Sequence, residues 1–128
     1  MYTLSVRRHI MIAHSLPRAD FGPAQNLHGA TYVVDAEFMT DRLNACNVVI
    51  DIGLADELLK DVLEPLNYQN LDALPEFEGQ LTTTEFLAHY IHIRLSEALT
   101  RSGVFAGRLR IVLHESHQAK ASYEGVVQ

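Results

Sequence analysis

The stretch that decides the fold is NLHGATYVVDAEF, residues 26–38. From His28 onward its apolar residues recur at every second place. Tyr32, Val34, Ala36 and Phe38 therefore share one face of a strand over 28–39. A histidine stands at the mouth of that strand, and two places on, on the same face, is Ala30. The stretch reads either as a metal site lacking one ligand or as a strand with a histidine at its entrance.

Working outward, TLSVRRHIMIA (3–13) is rich in β-formers and predicts a first strand. SLPRADFGPAQN (15–26) carries two prolines, a glycine and an aspartate and predicts a loop. TDRLNA turns the chain after the long strand, and CNVVIDI (46–52) predicts a third. Leu54, Leu58, Leu59, Val62 and Leu63 then recur at helical spacing and stop before Pro65. The segment LNYQNLDALPEFEGQL is irregular. Thr82 and Glu85 stand three apart ahead of a second periodic run, the spacing of a capping box. Phe86, Leu87, Tyr90, Ile91, Leu95, Ala98 and Leu99 supply that helix's buried stripe, and Gly103 and Gly107 close it. RLRIVLHE (108–115) is a further strand, and ASYEGVV (121–127) adds a short last one.

The order is ββ(β)ααββ, an α+β arrangement within one domain over 1–128. Its neighbouring strands are joined by loops, which predicts an antiparallel β-sheet with two helices on one face. The opposite face and at least one sheet edge stay open, so self-association is expected. A formal net charge of −6 argues against a general nucleic-acid binder, which needs a basic face. It leaves room for an anionic small molecule held by local arginines such as Arg7, Arg8 and Arg18. No apolar run approaches a membrane span and the N-terminus lacks a signal-peptide core, so a cytoplasmic location is the expectation. The single cysteine, Cys46, excludes an internal disulfide framework.

Five segments in register resemble one family: IMIAHSLP, AQNLHGATY, VVIDIGLADELLKDVLEPLNYQNLDALPEF, TTTEFLA and IVLHESHQAKASYEG. The chain is similar, almost end to end, to the 6-pyruvoyl-tetrahydropterin and 6-carboxytetrahydropterin synthases. The resemblance implies the tunnelling fold (T-fold), in which such units join around a central barrel, usually as a homohexamer of two trimers with active sites between subunits. It also implies a zinc ion on three histidines. His14 and His28 fall on two of those positions and Ala30 replaces the third. Two histidines can still hold a zinc, with lowered affinity, if another donor arrives; His9, His114 and His117 are candidates, none with a spacing that places it at the gap.

The family's catalytic cysteine falls on Ala24, and its catalytic Asp-His pair on Asn67 and Tyr68. Asn67 cannot carry the charge that stabilises an imidazolium. Tyr68, with an ordinary pKa near ~10, is a poor base but a candidate general acid. His117, two residues beyond Glu115, is a candidate replacement base. Glu115 falls on the pterin-anchoring glutamate, whose carboxylate matches two parallel N–H donors of the ring. Thr83 and Thr84 fall beside the pterin in the family pattern. The expected ligand is a reduced pterin of dihydroneopterin type. The expected activity is a lyase with a rebuilt acid–base set, aldolase-like side-chain cleavage included. The rivals are a pterin- or partner-binding protein without turnover and a purely structural partner in an assembly.

Overall fold

The two long strands are the frame on which the rest is hung. In the computed structural model, which describes residues 1–128, β1 (Tyr2–His14) and β2 (His28–Thr40) pair antiparallel over their whole length, from Tyr2 opposite Thr40 to His14 opposite His28. The intervening loop folds into short 3₁₀ turns over Ala19–Gln25. Further along come α1 (Ile52–Leu63), β3 (Gln69–Asn70), α2 (Thr84–Ser102), β4 (Gly107–His114) and β5 (Lys120–Val127). The five strands form one sheet in the order β3-β1-β2-β4-β5. β2–β4 and β4–β5 are antiparallel, and the two-residue β3 runs parallel to β1 beside Ile12 and Ala13.

Alternation sorts the sheet's two faces. Val6, Ile10, Ile12, Tyr32, Val34, Ala36, Phe38, Leu109, Ile111 and Leu113 are buried beneath the helices. α2 lies across β4 and β5, and α1 against β1. Leu59 and Leu63 of α1 and Leu87, Ile91, Leu95 and Leu99 of α2 complete this core. Each such side chain contributes ~1.5–3 kcal/mol when fully buried. The opposite face carries Arg7, Asp35, Glu37, Arg108, Arg110, His114 and Glu124, tied across strands by ion pairs. It is polar and uncovered within one chain. No helix is long and apolar enough to cross a membrane.

Two expectations are corrected. CNVVIDI is not a strand. Asn44 accepts from the amides of Cys46 and Val48, Asn47 takes a left-handed φ of 61°, and Asp51 caps α1 by accepting from Leu54 N at 2.8 Å. Local side-chain bonds thus bend the run before it can reach a sheet. The extra strand lies instead between the helices, at 69–70, giving ββαβαββ. The capping threonine is also one place later: Thr83 accepts from Phe86 N at 3.1 Å. α2 ends as the sequence predicts, with Gly103 in the left-handed conformation (φ 67°) that an L side chain resists.

Candidate functional site

β1 and β2 bring His14 and His28 directly opposite one another, with ring centroids 4.6 Å apart in an edge-on arrangement. His28 Nδ1 lies 2.8 Å from the Asn26 carbonyl. A carbonyl only accepts, so Nδ1 carries the hydrogen, and in the neutral ring Nε2 holds the lone pair. His14 Nδ1 lies 3.0 Å from the buried Thr82 hydroxyl. Burial pushes the His14 imidazole below its ordinary pKa, and His28 pushes the same way; Thr82, Asp72 and Glu115 oppose them. His14 is therefore neutral at neutral pH.

This anchoring of Nδ1 is how metal-binding histidines are commonly oriented. The donor set is nevertheless short. Ala30, on the same face and opposite Ile12, offers no ligand, and nowhere does the chain gather three His, Cys, Asp or Glu side chains able to hold a metal. His114 is held by Asp35 on the opposite face of the sheet. The residues present do not fit a catalytic zinc with three protein ligands, and no chemical step is assigned to a metal here.

Glu115 opens the turn after β4, where its amide donates to the Ala119 carbonyl at 3.0 Å. Its carboxylate is exposed and engaged by no other side chain. It lines a cleft of about 380 Å³ together with Arg7, Thr31, His114, Ser116 and His117. That volume is within the ~300–1,000 Å³ of small-molecule sites. Behind the cleft, Tyr32 is buried against Thr84; burial raises its pKa, Thr84 partly offsets this, and the charge of Glu115 adds to the rise. Thr84 is buried, and Thr83 is committed to capping α2.

Asn67 and Tyr68 sit at the far edge of the sheet. Asn67 Oδ1 accepts from Met11 N at 2.9 Å, and Tyr68 N donates to the Met11 carbonyl at 2.6 Å. Tyr68 has a left-handed φ of 61° and is 77% exposed. Three strand spacings separate β3 from β4, roughly 14 Å at ~4.8 Å each. A single chain therefore groups His14, His28 and Thr82, with Glu115 near enough for its charge to act on His14, and places His117 beside Glu115 in the cleft. It does not bring Asn67 or Tyr68 to either group.

Sequence reasoning missed Thr82, which the spacing assigned to a cap. It also missed Asp35, whose buried carboxylate receives Arg7 Nε at 2.7 Å, Arg7 Nη2 at 2.9 Å and His114 Nε2 at 2.8 Å. An acidic residue inside a mostly apolar strand run was the one available signal, and it names no partner.

A single antiparallel sheet, two helices on one face and facing histidines where the long strands end define a tunnelling-fold protein. The sequence profile of the 6-pyruvoyl tetrahydropterin synthase family matches residues 3–126, and the chain belongs to that family. Among solved structures, 6-pyruvoyl tetrahydropterin synthase from Caenorhabditis elegans is similar at 20% identity, covering 97% of this chain and 95% of that one, with a TM-score of 0.84. A catalytic-residue mutant of the Plasmodium vivax enzyme is similar at 17% identity over 98% of each chain, with a TM-score of 0.80. An uncharacterized protein from Wolinella succinogenes is similar at 15% identity, covering 95% and 97%, with a TM-score of 0.65. No curated protein matches the chain in sequence.

Proposed function

We propose that this protein binds a reduced pterin of dihydroneopterin type through Glu115 and cleaves its side chain as a lyase, without the cysteine and Asp-His pair of its family. The supporting observation is the Glu115 carboxylate. It is unpaired at the rim of a cleft of suitable size, lined also by Arg7, Thr31 and His114. An unpaired carboxylate receives two parallel N–H donors of a pterin without first breaking a bond within the protein.

The uncovered charged face and the separation of Tyr68 from Glu115 support assembly of several copies, with sites completed between chains. Tyr68, projecting from one sheet edge, is then available to a neighbour as an acid. Binding without turnover is the second reading. It is favoured by Ala24 and by Asn67, whose amide oxygen is already used by Met11 N–H.

Titration calorimetry with neopterin, repeated on Glu115→Gln, tests the anchor. A loss of at least roughly ten-fold in affinity is expected, since a hydrogen bond to a charged group contributes ~1.5–3 kcal/mol. Equal affinities for the two proteins would remove Glu115 from the site. Mass spectrometry of dihydroneopterin and its triphosphate after incubation separates a lyase from a silent binder.

A further inference from the structure

The family's acid–base residues are replaced at 24, 67 and 68, yet the fold holds an aspartate–histidine pair elsewhere. Asp35 on β2 is buried. Its Oδ1 accepts from Arg7 Nε at 2.7 Å, and its Oδ2 accepts from Arg7 Nη2 at 2.9 Å. Oδ2 also receives His114 Nε2, 2.8 Å away on the neighbouring strand. The bidentate guanidinium clamp holds the Asp35 carboxyl below its usual pKa. A carboxylate fixed in this way accepts only, so His114 donates through Nε2–H, and in the neutral ring Nδ1 holds the lone pair. That nitrogen has no hydrogen-bond partner in the protein, and the ring lines the same 380 Å³ cleft as Glu115.

This arrangement has the parts of a general base: an imidazole of defined tautomer, an oriented acidic partner and a free nitrogen beside a ligand-sized space. From this geometry we infer that His114 is the base for side-chain cleavage, with Asp35 as its positioning residue and Arg7 holding Asp35 in place. The inference rests on the proposed reading of the cleft as a reduced-pterin site. In the step it assigns, His114 Nδ1 takes the proton of a substrate side-chain hydroxyl, and the electron pair stays on oxygen to form a carbonyl. The adjacent carbon–carbon bond breaks, and its electrons enter the conjugated imine of the ring. The resulting enamine carbon is reprotonated from the imidazolium. No oxidant or co-reactant is consumed.

Charged or titratable groups surround His114 on every side: Arg7 and His9 on β1, Asp35 on β2, Glu115 and His117 in the turn, and Lys120 opposite it on β5. The test is turnover of 7,8-dihydroneopterin followed by mass spectrometry between pH 5 and pH 9 (a range set by the ~6.5 of ordinary histidine). His114→Gln keeps an amide donor at the Nε2 position for Asp35 but has no base. Its kcat should fall ~100-fold or more, while neopterin affinity changes by less than about three-fold, the spread expected of context alone. In His114→Ala, added imidazole should restore turnover. Asp35→Asn should displace the acidic limb of the native pH–rate profile. Native kcat in His114→Gln, or a loss confined to KM, overturns the dyad and leaves the pterin reading intact. If His114→Gln does not fold, absence of imidazole rescue together with an unmoved profile in Asp35→Asn overturns the dyad. A native protein that turns over no reduced pterin overturns both.

Discussion

At the scale of single residues, Ala30 carries the largest chemical consequence. It shares a face with His28 and lies across the ladder from Ile12, beside His14. Both neighbouring imidazoles already have Nδ1 engaged, by Asn26 O and the Thr82 hydroxyl. A histidine at position 30 would share a face with His28, the spacing by which His-x-His chelates well on a strand. Ala30→His should therefore bring zinc, by elemental analysis of tag-free protein, to about one ion per chain. The native protein should hold less than a stoichiometric amount. Equal zinc in the two proteins would mean that a donor outside this strand face already completes the native site. That Ala24, Asn67 and Tyr68 stand where the family carries its cysteine and Asp-His pair is what the resemblance implied. The Arg7–Asp35–His114 cluster was not legible in the sequence, because its members lie 28 and 79 residues apart and only strand register joins them.

At the scale of elements, both long strands, both helices and the last two strands were legible, because apolar period and turn residues agreed along each. CNVVIDI misled because its β-branched residues suit a strand while Asn44, Asn47 and Asp51 impose turns and a cap. β3 escaped notice because two residues carry no period. The placement of α2 depends on a contact no pattern reveals. His92 is buried beneath the helix with Nε2 donating to the Leu109 carbonyl at 3.0 Å, and its ring presses on Gly125 of β5. A Cβ at Gly125 would lie 2.9 Å from His92 Cε1 and 3.2 Å from Nε2. The ring is pinned by its carbonyl partner and packed against Tyr123, so it has little room to yield. Gly125→Ala should destabilise the protein by ~1–3 kcal/mol, the usual effect of overpacking. Denaturant titration at fixed protein concentration reads this directly. An unchanged midpoint would show that the helix shifts without cost.

At the scale of the whole molecule, the sheet has one apolar and one charged face. Glu37, Arg110 and Glu124 lie directly opposite one another along successive strands, with Arg110 Nε 2.6 Å from Glu37 Oε1 and Arg108 Nε 2.9 Å from Glu124 Oε2. A face organised this way, with backbone edges free along much of β1 and all of β5, suits closure against further copies. Light scattering of the purified protein should give a mass that is a multiple of the 14.4 kDa chain, three or six copies being the expected numbers. A persistent monomer at micromolar concentration would remove the shared-site part of the functional proposal. The open face was legible in outline, since one layer of helices covers one face only. Its cross-strand pairing was not, because pairing depends on register.

The left-handed backbone at Tyr68 has a last consequence, concerning how catalysis is gained and lost. Main-chain and amide bonds to Met11 fix where this position points, and none of them involves the phenol. Backbone placement and side-chain chemistry are thus set separately at this position. Evolution could exchange the tool without rebuilding the mount, which leaves the same bracket open to any side chain that tolerates the turn.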